Sequence, residues 1–264
     1  MPPFTAKDVQ ALRQATGAGM LDAKRALEQN DGDMDKAQTW LREQGLSQAV
    51  KRENREASQG AVALAVQSDG AAIVELRCET DFVAKADAFV SLVDELAQLV
   101  ATKGPDAVDE RKAAVDDLRT TLKENISVGQ VVHWNLGDGT TVGTYLHVQA
   151  GRGVNAVLVE LRGGTEELAH DVAVHIAFAR PQYLRREDVP ADDVAAERDT
   201  LERISRNEGK PEAALGKIVD GRMNGWFKDR VLLDQPYARD EKRTIAQLVG
   251  SAEILRFAQV VVGG

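Results

Sequence analysis

The apolar positions at the start of the chain recur at helical spacing. Thr5 stands three residues before Asp8 and just ahead of Val9 and Leu12, so its hydroxyl can cap a first turn whose dipole the carboxylate answers. Gly17 and Gly19 break that helix, and Met20, Ala23 and Leu27, at i, i+3 and i+7, predict a second with these three facing inward. Asn30-Asp31-Gly32 closes it. Asp33 can cap a third helix, with Ala37, Trp40 and Leu41 inward and Gly45 as its end. Leu21 is out of phase. One residue past Met20, it turns about 100° away and shares its face with Lys24, Arg25 and Glu28. A lone exposed leucine is ordinary, and this one gains weight only from its neighbours. The charged run Ala49 to Gln59 then predicts a linker or an exposed helix, and with it a domain boundary.

From Val62 the period shortens. Val62 to Val66, the turn Ser68-Asp69-Gly70 with a glycine tolerant of positive φ, and Ala71 to Cys78 predict a β-hairpin. Phe89, Leu92, Val93, Leu96, Leu99 and Val100 then predict a helix covering the sheet. The same plan recurs in Tyr145 to Gln149, a Gly151-Arg152-Gly153 turn, Ala156 to Arg162, and a helix striped by Leu168, Val172 and Ile176. Val74-Glu75-Leu76-Arg77 matches Val159-Glu160-Leu161-Arg162, so the body is read as two related α+β subdomains. Between them lie a helix from Ala114 to Leu122 and an extra strand from Val128 to Trp134. The repeat supplies an internal control: Thr80-Asp81-Phe82-Val83 aligns with Thr165-Glu166-Glu167-Leu168, an ordinary helix start without an aromatic. Phe82 is therefore an added feature, and Asp81 reads either as a cap or as a charge aimed at a partner.

After Arg180-Pro181 the stretch Val189 to Glu208 is polar, with Val194, Leu201 and Ile204 as apolar anchors. Glu208-Gly209-Lys210-Pro211 reverses the chain, and Leu215, Ile218, Val219, Met223, Trp226 and Phe227 make a fuller stripe, predicting an antiparallel helical hairpin. Ile254 to Val262 reads as a closing strand.

A length of 264 residues exceeds one ordinary domain, and a net charge of −9 with pI ≈ 5.1 opposes binding to nucleic acid or anionic membrane. Cys78 is the only cysteine, which excludes an intramolecular disulfide and suits a reducing, cytoplasmic setting. No signal-like or membrane-length apolar run is present. His133, His147, His170 and His175 lack metal-ligand spacing, and no phosphate loop, Rossmann glycine pattern or nucleophile elbow occurs. Asp116 and Asp117 sit in a charged helix face. No catalytic residue, cofactor or metal is expected. An enzyme using a cleft between the subdomains ranks below a binding protein.

Thr16-Gly17-Ala18-Gly19-Met20-Leu21-Asp22-Ala23-Lys24 with Leu12-Arg13, and Cys78-Glu79-Thr80-Asp81-Phe82-Val83-Ala84-Lys85, closely resemble the two signature segments of the bacterial elongation factor Ts family. So do His175-Ile176-Ala177 with Pro181 and Tyr183-Leu184, and Gly209-Lys210-Pro211-Glu212 with Lys217 to Arg222. The resemblance implies an α+β protein: a three-helix module similar to ubiquitin-associated domains at 1–46, a linker at 47–59, core subdomains at 60–140 and at 141–180 with 229–264, and an inserted helical arm at 181–228. It implies guanine-nucleotide exchange on elongation factor Tu, in its GDP-bound and nucleotide-free states. Leu12, Met20 and Leu21 would touch the nucleotide-binding domain, Thr80, Asp81, Phe82 and Val83 would supply the turn that enters near magnesium, and His147 would lie at the second subdomain's contact surface. The arm is a candidate for self-association. The run Arg256 to Gly264 departs from the family's usual Arg-Phe-Glu-Val-Gly-Glu-Gly ending. The alternative class is an adaptor that binds a partner through the three-helix module alone.

Overall fold

The computed structural model describes residues 4–16, 18–50 and 55–264. Gly17, expected to break the first helix, and residues 51–54 of the expected linker lie outside them. The chain forms two compact units, one of Met1–Asn135, His147–Val154 and Val260–Gly264, the other of Leu136–Leu146 and Asn155–Gln259.

The first unit begins with three helices, α1 (Ala6–Thr16), α2 (Met20–Gln29) and α3 (Met34–Val50). They close on Val9, Leu12, Ala23, Ala26, Leu27 and Ala37. The first cap is reciprocal: the Thr5 N–H donates to Asp8 Oδ2 at 2.7 Å and the Asp8 N–H donates to Thr5 Oγ1 at 3.4 Å. Two expectations are corrected here. Met20 does not face inward but is 51% exposed, because the first residue of α2 has no earlier turn to pack against. Gly45 does not end α3, which runs on to Val50. A Cβ at Gly45 would lie 2.3 Å from Thr120 Cγ2, so this glycine permits a close helix approach instead.

The body of this unit is the antiparallel sheet β1 (Gln59–Val66), β2 (Gly70–Cys78) and β3 (Ser127–Asn135) in the order β1-β2-β3, with Gln59 opposite Cys78 and Val66 opposite Ala71. A single-turn helix α4 (Asp81–Ala84), α5 (Asp87–Lys103) and α6 (Lys112–Leu122) connect β2 to β3. Phe89, Leu92, Val93, Leu96 and Val100 of α5 pack with Ala61, Ala63, Val74 and Leu76 of the sheet. Gly70 serves closeness rather than a positive φ: a Cβ there would sit 2.0 Å from the Ala101 carbonyl oxygen.

The later strands repeat the plan. β4 (Thr140–Gln149) and β5 (Arg152–Arg162) turn at Ala150 and Gly151, whose φ values are 52° and 80°. The reversal thus comes one residue earlier than expected, with Arg152 and Gly153 already in the strand. α7 (Glu166–Ala179) follows, then α8 (Ala191–Asn207), α9 (Glu212–Arg230), the short strands β6 (Pro236–Tyr237) and β7 (Asp240–Thr244), α10 (Ile245–Val249) and β8 (Glu253–Val261). The sheet order β4-β5-β8 mirrors β1-β2-β3: a hairpin, helix, and a third strand beside the second. Buried glutamates occupy matching positions. Glu75 accepts from Arg77 Nε at 2.9 Å and the Gln130 N–H at 3.0 Å, and Glu160 accepts from Arg256 Nε at 2.6 Å and the Thr140 hydroxyl at 2.8 Å. Each buried charge has the partners its desolvation demands.

α8 and α9 pair as the predicted hairpin through Leu215, Val219 and Met223. Ile204 is not an anchor, being 41% exposed, while the adjacent Ser205 is buried and donates to the Leu201 carbonyl. A small side chain lets the two helices approach there, and charge supplements the thin apolar seam through Arg198–Asp220 at 2.8 Å and Arg222–Glu208 at 2.5 Å.

His175 is buried on α7; the Ala238 N–H donates to its Nδ1, which leaves Nε2 to donate to Gln235 Oε1 at 3.0 Å. Burial lowers its pKa below the ordinary 6.5. As pH falls through about 6.5, the unfolded chain takes up a proton that the folded ring refuses, so stability drops. The urea midpoint of this unit is therefore expected to be lower at pH 5.5 than at 7.5, with a smaller drop in His175→Gln.

Candidate partner-binding site

The exposed apolar side chains of the first unit converge on few places in the sequence. Phe82 is 82% exposed, Leu21 81%, Val148 56% and Met20 51%, with Val66 next at 42%, while most large apolar residues of the unit are buried. Phe82 owes its position to a short, strongly held turn. β2 ends at Cys78, and the Thr80 hydroxyl accepts the Val83 N–H at 3.4 Å to start α4. The matching Thr165 caps Leu168 at 3.1 Å, so the two repeats begin their helices alike. They then diverge. α7 continues to Ala179, whereas α4 stops after one turn and α5 restarts at Asp87. On either side of that break Ala84 and Phe89 are buried, while Phe82, at the start of the turn, stands clear of the fold.

The remaining residues of the turn have distinct roles. Val83 is half-buried against the core of the sheet and α5. Asp81 is not the cap, since Thr80 fills that place; its Oδ2 accepts from Lys85 Nζ at 2.5 Å, and this bond, with the nearby Lys85 and Arg152 charges, holds its pKa below the ordinary carboxylate value. Cys78 lies beneath, its thiol donating to the Thr80 carbonyl at 3.2 Å. Burial and the Glu124 charge push that thiol's pKa up to about 12, so it stays protonated and inert.

Among the other expected contact residues, His147 is exposed near the end of β4. Leu12 is corrected: at 1% exposure it lies inside the three-helix core and offers no surface, so it can only support α2 from behind. Asp22, beside Leu21, faces Lys123 Nζ at 3.8 Å, an exposed pair that contributes little energy. Three features escaped the sequence reading. Val148 adds an apolar group beside His147. Phe178 on α7 is 78% exposed, and the phase test that found Leu21 would have found it, since it stands about 200° around the helix from Ile176. Glu124 grips the Thr80 turn from 44 residues away, a separation with no local signal.

Comparison with known proteins gives this arrangement a context. The family model described as Elongation factor TS matches residues 79–264, which contain the whole turn from Glu79 onward. The chain is similar over all or nearly all of its length to proteins named Elongation factor Ts: 44% identical to that of Kineococcus radiotolerans, with 96% of each chain covered, and 42% identical to that of Streptomyces griseus, with 100% of each covered. The protein of that name from Micrococcus luteus is 41% identical, again over 100% of both chains. The chain belongs to the elongation factor Ts family. An elongation factor Ts is a translation elongation factor, and the α+β architecture expected from the sequence is the one observed. Among the described residues no group of His, Cys, Asp and Glu could hold a metal ion, and no helix is long and apolar enough to cross a membrane.

Proposed function

We propose that the protein is a guanine-nucleotide exchange factor for elongation factor Tu. It binds Tu with GDP, disturbs the magnesium and phosphate site so that GDP leaves, and departs when GTP binds. The observation that carries this reading is Phe82, an aromatic ring 82% exposed on a capped turn whose matching turn in the repeat has none. A GTPase holds its nucleotide by backbone donors and a bridging magnesium ion, so a competitor has to move the backbone that supports them. A rigidly presented ring can do so by filling an apolar pocket, which stabilises the complex by roughly 1.5–3 kcal/mol and offsets part of the rearrangement. Coupling is reciprocal: whatever factor the protein takes from GDP affinity, nucleotide takes from protein affinity. The protein itself makes and breaks no covalent bond.

On this reading residues 1–46 are a docking module on a linker at 47–59, residues 60–140 present the turn, and residues 141–180 with 229–264 provide a second contact that includes His147. The arm at 181–228 remains available for self-association, and the site of action is the cytoplasm. The deciding experiment is stopped-flow release of a fluorescent GDP from elongation factor Tu with and without this protein. Acceleration that saturates with protein concentration supports the proposal, and an unchanged rate refutes it.

The exposed pair Met20 and Leu21 favours a second reading, an adaptor that binds through the three-helix module and leaves nucleotide release untouched. The two are separable at Leu21. For an exchange factor, Leu21→Ala weakens docking to Tu roughly tenfold and raises the half-saturating concentration with little change in maximal rate. Unchanged affinity by titration would return Leu21 to the ordinary exposed leucines.

A further inference from the structure

The turn that carries Phe82 is too short to hold itself. α4 is one turn long, and a single helical turn fixes several dihedrals for one hydrogen bond, so its direction has to come from outside. The structure shows where from. Lys123, at φ 60°, ends α6 in the left-handed conformation and turns the chain, and the buried Ile126 anchors it a few residues later. Between them Glu124 reaches back across the unit. Its Oε2 accepts the Glu79 N–H and the Thr80 N–H, both at 3.0 Å, and its Oε1 accepts the Thr80 hydroxyl proton at 2.5 Å.

That last bond matters for the cap. By donating to Glu124 the Thr80 hydroxyl keeps its lone pairs directed at the Val83 N–H, so one carboxylate fixes both the peptide before α4 and the hydroxyl that starts it. The grip is returned. Glu79 Oε1 accepts the Asn125 N–H at 2.7 Å, Glu79 Oε2 faces Arg55 at 3.5 Å, and Asn125 Nδ2 donates to the Arg55 carbonyl at 2.8 Å. The repeat again serves as control. The residue matching Glu79 is Gly164, and among the described residues no carboxylate meets the backbone of Gly164 or the hydroxyl of Thr165, where a fourteen-residue helix needs no such help.

We infer that Glu124 is a positioning residue for nucleotide exchange: its carboxylate clamps the Glu79–Thr80 peptide and the Thr80 hydroxyl, so that α4 presents the Phe82 ring in one fixed direction. The inference rests on the exchange role proposed for Phe82. Glu124 is absent from the apolar core of its unit, so its removal loosens the turn while the fold stands. A loosened turn still meets the partner through the other contacts but delivers the ring in the wedging direction for a smaller fraction of the time.

The test is stopped-flow GDP release from elongation factor Tu across a concentration series of Glu124→Ala, Glu124→Gln and Phe82→Ala, with melting temperatures and binding titrations for each. Glu124→Ala is expected to lower the maximal release rate roughly tenfold, with the half-saturating concentration changed less than about threefold and melting temperature within a few degrees of wild type. Glu124→Gln, which keeps the shape and one acceptor, is expected to fall between. A wild-type rate in Glu124→Ala alongside a slow Phe82→Ala would overturn the inference alone. A wild-type rate in Phe82→Ala would overturn the exchange reading of the turn, and this inference with it. Loss of rate, affinity and melting temperature together in both Glu124 variants would also overturn it, since that is the signature of a residue serving only the fold.

Discussion

Replacing Phe82 with alanine is expected to slow factor-stimulated GDP release roughly 10- to 100-fold, the loss that follows from emptying one aromatic-sized apolar pocket. The same change is expected to shift the melting temperature by less than about 2 °C, because the ring makes little contact with its own fold. The two readouts have to be taken together. Normal exchange combined with a large loss of melting temperature would show the ring to be part of the core, against its 82% exposure. Normal exchange with normal melting would remove the basis for the proposed mechanism.

Seven residues further on, the opposite result is expected of a second phenylalanine. Phe89 is fully buried where α5 meets β1 and β2, and Phe89→Ala leaves a cavity that costs about 3–5 kcal/mol. For a chain of this size that lowers the melting temperature by roughly 10 °C, concentrated in the first unit and visible as faster amide exchange in β1 and β2. Exchange activity per folded molecule is expected to stay normal at a temperature well below the transition. An unaltered melting temperature would mean that neighbouring side chains collapse into the gap. Together, Phe82→Ala and Phe89→Ala separate presentation from packing within one stretch of chain.

How much of this was legible in the sequence depends on the range of the forces involved. The hairpins, the covering helices and the third strand of each sheet are written in periods of two and three to four residues, and Thr80 aligned on Thr165 was enough to single out Phe82. Leu21 stands out by helical phase alone, and so does Phe178. What local pattern could not show was use at a distance. Gly45 reads as a helix end until Thr120 is seen pressed against it, and Gly70 reads as a turn glycine until the Ala101 carbonyl comes into view. Ile204 reads as an apolar anchor, yet it is exposed and the adjacent Ser205 is buried, because the approach of two helices rewards a small residue over a large one. Leu12 sat inside a motif that suggested contact, yet its helical phase puts it in the three-helix core. Glu124 is the extreme case, an ordinary acid in a charged stretch until the fold brings it beneath Thr80.

The first unit is also assembled from separated stretches of chain, and synthesis has to respect that. When residues up to 135 are available the sheet β1-β2-β3 can pair, but Arg152, whose guanidinium donates to the Gly60 carbonyl, belongs to a stretch made later. The buried Glu75 waits longer still for one of its donors, the Gly263 N–H at 3.4 Å. A ribosome delivering this protein therefore releases its opening segment in a provisional form, with a carboxylate short of one bond, and the seal arrives only after every residue of the other unit has been translated.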